Sequence, residues 1–164
     1  MHTVFLALGS NVGNKIENIE RATKFLETKI GNLKRAPLYE TKPVGFLEQD
    51  DFVNTAIVGE TELQPRELFV FVKRIEKKLG RIKRFRFGPR EIDIDILLYD
   101  DLVYKDDDVQ IPHISLHERD FVLQPIVDLS PKTMHPILHK TMEELLKNLP
   151  NNSHSVLQKI SKVR

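Results

Sequence analysis

The sequence predicts an α+β fold of the ferredoxin-like type: a β-α-β-β-α-β sandwich, its antiparallel sheet carrying helices on one face, plus an extra C-terminal helical segment. Three observations lead there. Short runs rich in β-branched and aromatic residues alternate with two amphipathic stripes in that order. The 164 residues suit one domain with a single core, spanning 1–164. No repeat or break in composition divides them.

Thr3–Leu8 is an apolar run that ends at Gly9-Ser10-Asn11, which predicts a buried strand entering a turn. Asn14 with Glu17 three residues on resembles a capping box, and Ile16, Ile19, Thr23, Leu26 and Ile30 follow at helical spacing as far as Gly31. Leu33–Thr41 reads as one extended segment, peripheral because Pro37 cannot donate to a ladder. A turn-rich stretch, Lys42–Asp51, leads into a strand at Phe52–Val58. Pro65 suits a first helical position, and Leu68, Phe69, Val72, Ile75 and Leu79 form a stripe that stops at Gly80. Arg81–Pro89 is a loop and Glu91–Leu98 a strand. Aspartates at 100, 101 and 106–108 flank a short hairpin, and Pro112–Leu129 reads as loop with one helical turn or two. Thr141 and Glu144 open a helix at Met142–Leu149, and the polar stretch from Pro150 is expected to fray.

Composition narrows the function classes. With 40% hydrophobic and 30% charged residues the chain is neither disordered nor collagen-like. Without cysteine it has no disulfide, thiolate zinc site or cysteine nucleophile. Its longest apolar runs, Val4–Leu8 and Leu68–Val72, fall far short of the about 20 residues a membrane helix needs, so a cytoplasmic enzyme or binding domain is expected. The net charge of +1 conceals a strong asymmetry. Lys73–Arg90 holds nine basic residues and one acidic, whereas the rest of the chain is net negative. Such a stretch is either a solvated face or the partner of something anionic.

In a strand, Ile92-Asp93-Ile94-Asp95-Ile96 sends both aspartates to one face, their Cα atoms about 6.5–7 Å apart, and the isoleucines to the core. Strands disfavour aspartate and like charges repel, so the pair reads as hard oxygen ligands for Mg²⁺. The basic loop runs straight into this strand with more cations than two aspartates can use; a metal-bearing polyphosphate can use them. Gly9–Lys15 lacks the spacing of a phosphate loop and reads as a plain turn. The pairs His113/His117 and His135/His139 lack the glutamate of a zinc helix, and His113 is either a phosphate donor or a surface residue. Asn54, inside an apolar strand, either ties neighbouring loops together or reads the edge of a heterocycle. Phe46, Phe52, Phe87 and Phe121 either clamp a planar ligand or serve the core.

Gly88-Pro89-Arg90-Glu91-Ile92-Asp93-Ile94-Asp95-Ile96-Leu97 closely resembles the signature of the 6-hydroxymethyl-7,8-dihydropterin pyrophosphokinase family, folate-pathway enzymes that move diphosphate from ATP to a pterin alcohol. Leu8–Asn11, Thr41–Gly45, Phe52–Asn54, Arg74–Glu76, Ile111–His113 and Arg119–Phe121 agree in order, so that the likeness covers roughly residues 2–150. The resemblance implies the ferredoxin-like fold, and two Mg²⁺ ions on Asp93 and Asp95 bridging the triphosphate of ATP. It implies phosphate contacts from Arg81, Arg84, Arg90 and His113, a further cationic contact from Arg119, and a nucleotide site that includes Glu76 and the Ile96 backbone. It places Phe87 in the loop that closes over ATP. It implies that Asn54 reads the pterin edge, that Phe121 and Phe52 pack around the ring, and that Thr41, Pro43 and Val44 contribute backbone contacts. Catalysis then rests on Asp95, Arg81 and Arg90, with Asp95 the nearest acceptor for the hydroxyl proton.

The chain departs from a familiar bacterial form in several places. Phe87 stands for a tryptophan, Phe52 for a tyrosine, and Asp108 and Gln110 for a basic and a hydroxyl residue near the adenine site; the basic loop is one residue shorter. Some relatives are fused to dihydropteroate synthase, which this length does not include. The expected partners are ATP and 6-hydroxymethyl-7,8-dihydropterin, with no nucleic acid and no membrane. Two alternatives use the same residues: another Mg²⁺-dependent phosphoryl transferase, and a nucleic-acid-binding or regulatory module. The aromatic-rich motif of RNA-recognition domains is not present.

Overall fold

A computed structural model describes residues 1–150 and 153–160. The elements run β1 (His2–Ser10), α1 (Lys15–Leu26), β2 (Gly31–Arg35), β3 (Leu38–Thr41), β4 (Phe52–Thr61), α2 (Pro65–Lys78) and β5 (Asp93–Tyr99). There follow β6 (Tyr104–Lys105), β7 (Gln110–Ile111), a 3₁₀ turn (Leu116–Glu118), α3 (Asp120–Leu129), α4 (Met142–Lys147) and β8 (Val156–Ile160). The main sheet is antiparallel in the order β5-β1-β4-β3-β8, and β2 also lies on β4. Taken with α1 and α2 this is the expected β-α-β-β-α-β unit.

The expected single segment at Leu33–Thr41 is two strands. Proline at 37 has no N–H for the ladder, so β2 pairs with the second half of β4 and β3 with the first. The Thr55 hydroxyl covers the gap by donating to Ala36 O at 3.0 Å.

Alternation along the strands builds two cores. Val4, Leu6, Leu8, Val53, Ile57, Ile94 and Ile96 face α1 and α2, and Phe5, Ala56, Leu97 and Leu98 face α3 and α4. The sheet therefore carries helices on both faces, where the sequence predicted one. The added helix, α3, lies in the stretch read as loop. Pro125 interrupts its hydrogen-bond pattern, but Val122, Leu123 and Ile126 bury an apolar stripe that outweighs the lost bond. The predicted box at Thr141 and Glu144 opens α4, each residue accepting the other's backbone N–H. At Asn14 only one half forms, Asn14 Oδ1 accepting from Glu17 N.

The tail expected to fray from residue 150 is corrected within the described residues: Val156–Ile160 extends the sheet along β3. Residues 151–152 and 161–164 lie outside the described residues. Among the described residues no helix is long and apolar enough to cross a membrane.

Candidate active site

Burial of Ile92, Ile94 and Ile96 against the α1–α2 layer, worth about 2 kcal/mol each, fixes the register of β5. Asp93 and Asp95 are thereby turned to the opposite face. Across the strands Asp93 stands opposite Gly9, Gly9 opposite Asn54 and Asn54 opposite Tyr39. Glycine in that row leaves the floor open: a Cβ there would meet Asn54 Oδ1 at 2.4 Å. Asn54 Nδ2 donates to Thr41 Oγ1 at 2.6 Å, which fixes the amide plane. Above this floor lies a cavity walled by Thr41, Val44, Phe52 and Asn54 on one side and by Phe87, Arg90, Arg119 and Phe121 on the other. The Arg119 guanidinium rests over the Phe121 ring, 5.6 Å from its centre, and that of Arg86 over the Phe87 ring at 4.7 Å.

Asp93 lines this cavity and Asp95 lines a second cleft, with Val72, Lys73, Ile96, Gln110 and His113. The aspartate pair thus places one carboxylate in each cleft. Asp93 is held by Arg81 Nη1 at 3.1 Å and Arg90 Nη1 at 2.6 Å. The Asp95 side chain keeps a third of its surface open to the cleft. Crowding by the protein, and next the negative charge of Asp93, push its carboxyl up to about 7. A pair of carboxylates that repel on a rigid strand is a donor set suited to a divalent cation with oxygen preference. Among the described residues no group of three or more His, Asp or Glu side chains is arranged to hold a metal. The pair can therefore supply two carboxylates, leaving other positions to water or ligand oxygens.

The second cleft owes its shape to an irregularity. The β1–β5 register shifts at Leu6/Ile96 and Phe5/Leu98, so Leu97 bulges and its carbonyl accepts His113 N at 3.0 Å. The imidazole Nδ1 accepts Ser115 N at 3.1 Å, which leaves the proton on Nε2, 3.9 Å from Asp95. Burial and the nearby Arg119 charge lower His113 to about 4. It is a neutral N–H donor aimed into the cleft. Glu76 is buried, and its oxygens accept from Lys73 Nζ at 3.1 Å, Arg81 Nη1 at 2.9 Å and Ile94 N at 2.8 Å.

Three loops close over the first cavity. Asn11 accepts Arg90 N at 2.7 Å and donates to Gln49 Oε1 at 2.8 Å. Gln49 Nε2 in turn lies 2.7 Å from the carbonyls of both Phe46 and Phe87. Phe87 has φ +60° and lies so close to Gly45 that a Cβ there would meet its ring at 2.7 Å. Arg84 forms a fork on Glu91, at 2.8 and 2.7 Å, within its own loop.

The structure thus gathers Thr41, Val44, Phe52, Asn54, Phe87, Arg90, Asp93, Arg119 and Phe121 around one cavity, and Asp95, Ile96 and His113 around the other. Five expected residues stand differently, Arg81 among them, since it lines neither of these clefts and pairs with Glu76 and Asp93. Pro43 is buried and does not line the cavity. Glu76 has both oxygens on protein donors, Arg84 is paired to Glu91, and Arg119 stands on the Phe121 side rather than in the His113 cleft. Gly9, Asn11, Gln49 and Lys73 were missed. Gly9 had a signal, a glycine ending a buried strand, but its use depends on a cross-strand neighbour.

Such a sheet, with an acidic strand edge rimmed by cations and a cleft on either side, defines a ferredoxin-like α+β protein with paired carboxylates between two clefts. The model of the 7,8-dihydro-6-hydroxymethylpterin-pyrophosphokinase (HPPK) family matches residues 5–131. The 2-amino-4-hydroxy-6-hydroxymethyldihydropteridine pyrophosphokinase of Aquifex aeolicus is 44% identical over 144 residues, covering 88% of this chain and 90% of that protein. The folic acid synthesis protein FOL1 of Dictyostelium discoideum is 45% identical over 155 residues; they cover 93% of this chain and only 24% of FOL1, so the chain spans about a quarter of that relative. The crystal structure of Plasmodium falciparum HPPK-DHPS superposes with a TM-score of 0.71 at 18% identity, over 90% of this chain and 43% of that one, a likeness of fold. The chain belongs to the HPPK family.

Proposed function

We propose that this chain, acting as one domain in the cytoplasm, transfers the diphosphate of MgATP to the hydroxymethyl group of 6-hydroxymethyl-7,8-dihydropterin and releases AMP. The observation that carries the reading is the pair Asp93 and Asp95 on one strand face with one carboxylate in each of two clefts, one floored by the Asn54–Thr41 pair and the other lined by His113. Asn54 and the backbone near Thr41 and Val44 take the polar edge of the pterin, and Phe52 and Phe121 flank its ring. Arg81, Arg90 and the His113 N–H take phosphate oxygens, and the loop carrying Phe87 excludes water. Two Mg²⁺ ions held by Asp93 and Asp95 would neutralise charge on the phosphates. The hydroxymethyl oxygen forms a bond to the β-phosphorus as the bond from that phosphorus to the α,β-bridging oxygen breaks. AMP leaves, and Asp95 receives the hydroxyl proton. Positioning and charge stabilisation supply the acceleration.

The product is an activated pterin diphosphate, which suits a neighbouring dihydropteroate synthase, in a longer natural chain or beside it. The test is turnover of ATP with the pterin and Mg²⁺, separating AMP from ADP, with Asp95→Ala as control. AMP that requires the pterin, and a loss of about a thousandfold in the variant, is the expected result. ADP would mean an ordinary kinase. Binding of nucleic acid that survives EDTA, without turnover, would favour the binding-module alternative.

A further inference from the structure

We propose that Asp120 is a positioning residue for the pterin cavity: its carboxylate ties the C-terminal strand to the start of α3 and so sets the gap between Thr41 and Phe121. The proposal rests on the function proposed above. Asp120 is only 3% exposed, and among the described residues its buried Oδ1 has no hydrogen-bond partner, so the carboxylate is held through Oδ2 alone. Its Oδ2 accepts from Ser155 N at 2.8 Å and Val156 N at 2.9 Å, a charge-assisted pair. In a regular strand successive N–H groups point to opposite sides, so two in a row on one oxygen require a break in the ladder. The break is there: the β3–β8 register shifts between Glu40/Gln158 and Thr41/Val156, leaving Leu157 as the extra residue.

The two ends of this tie are the two walls of the cavity. On one side Ser155 O accepts Lys42 N at 2.8 Å and Val156 pairs with Thr41, whose hydroxyl accepts from the Asn54 amide. On the other side Asp120 is flanked by Arg119 and Phe121, both in the cavity wall. Packing of α3 on the sheet does not depend on the tie, because Val122, Leu123 and Ile126 are buried and Tyr39 bonds Asp128 at the far end of the helix. Losing the carboxylate should therefore loosen the cavity and leave the fold.

The test is steady-state kinetics on the full chain with 6-hydroxymethyl-7,8-dihydropterin and MgATP, alongside thermal melting. Asp120→Ala should raise the pterin KM about tenfold, the scale of hydrogen bonds to a charged group, with kcat at saturating pterin and the ATP KM held within about twofold. Asp120→Asn keeps an acceptor for both amides and should stay within about threefold of the wild type. Val156→Pro removes one donor outside the cavity, on an edge strand that tolerates proline, and should raise the pterin KM too; the double variant should cost no more than the worse single one. An unchanged pterin KM in Asp120→Ala overturns the proposal. So does a fall in kcat and in both affinities together with melting temperature that Asp120→Asn does not rescue. Should Asp120→Ala fail to fold, an unchanged pterin KM in Val156→Pro overturns it, and a raised one supports it. A wild type that makes no AMP would sink the function, whereas a working wild type with unchanged variants sinks this proposal alone.

Discussion

A methyl group added at Gly9 would sit 2.4 Å from Asn54 Oδ1, well inside contact distance. The strand backbone accepts alanine, but Asn54 would have to swing out and lose its bond to Thr41. Gly9→Ala is expected to leave the melting temperature within a few degrees and to raise the pterin KM about tenfold or more, with little effect on ATP. Equal losses for both substrates would show that the floor of the cavity is not what the glycine protects. At this scale the aspartate pair was legible because strand alternation alone puts Asp93 and Asp95 on one face. Asn54 was legible as an amide where apolar residues belong. The neutral state of His113 was not, since it comes from burial and from the Ser115 N–H on its Nδ1.

The loops that close the cavity are held by few contacts, and two of these can be tested. Gln49 joins the loop before β4 to the basic loop through Phe46 O, Phe87 O and Asn11. Gln49→Ala should favour the open loops by roughly 1–2 kcal/mol, seen as about tenfold faster tryptic cleavage between residues 81 and 90. Unchanged cleavage would mean that the aromatic contacts hold the loops by themselves. Within the basic loop, the Arg84 fork holds Glu91 down to about 2, below its ordinary 4.5. A depressed carboxylate contributes stability that is present above its unfolded value and is lost as pH falls toward the folded one. The wild type should exceed Glu91→Gln by on the order of 1–2 kcal/mol near neutrality, and urea melts should show the difference shrinking between about pH 4.5 and 2. A constant difference would assign the effect to packing. Element boundaries explain what the sequence hid: Pro125 masked α3, and β8 looks polar because only its pairing with β3 makes it a strand.

Viewed whole, the sheet divides its labour by face. One face is sealed by α1 and α2, and the other is covered by α3 and α4 except at the end where the carboxylates and Asn54 stand. Charge is divided as well, with seven of the nine cations of Lys73–Arg90 lining one cleft that includes Arg90, in a chain whose net charge is only +1. Fields of this kind attract a polyphosphate over about 10 Å at 0.1 M salt and leave a neutral ligand alone. Raising KCl from about 20 to about 500 mM at saturating Mg²⁺ should therefore lower kcat/KM for ATP by on the order of tenfold, while kcat/KM for the pterin changes less than about twofold. A parallel fall for both substrates would point to salt acting on loop closure, because closure serves the two clefts alike and attraction serves only the charged one.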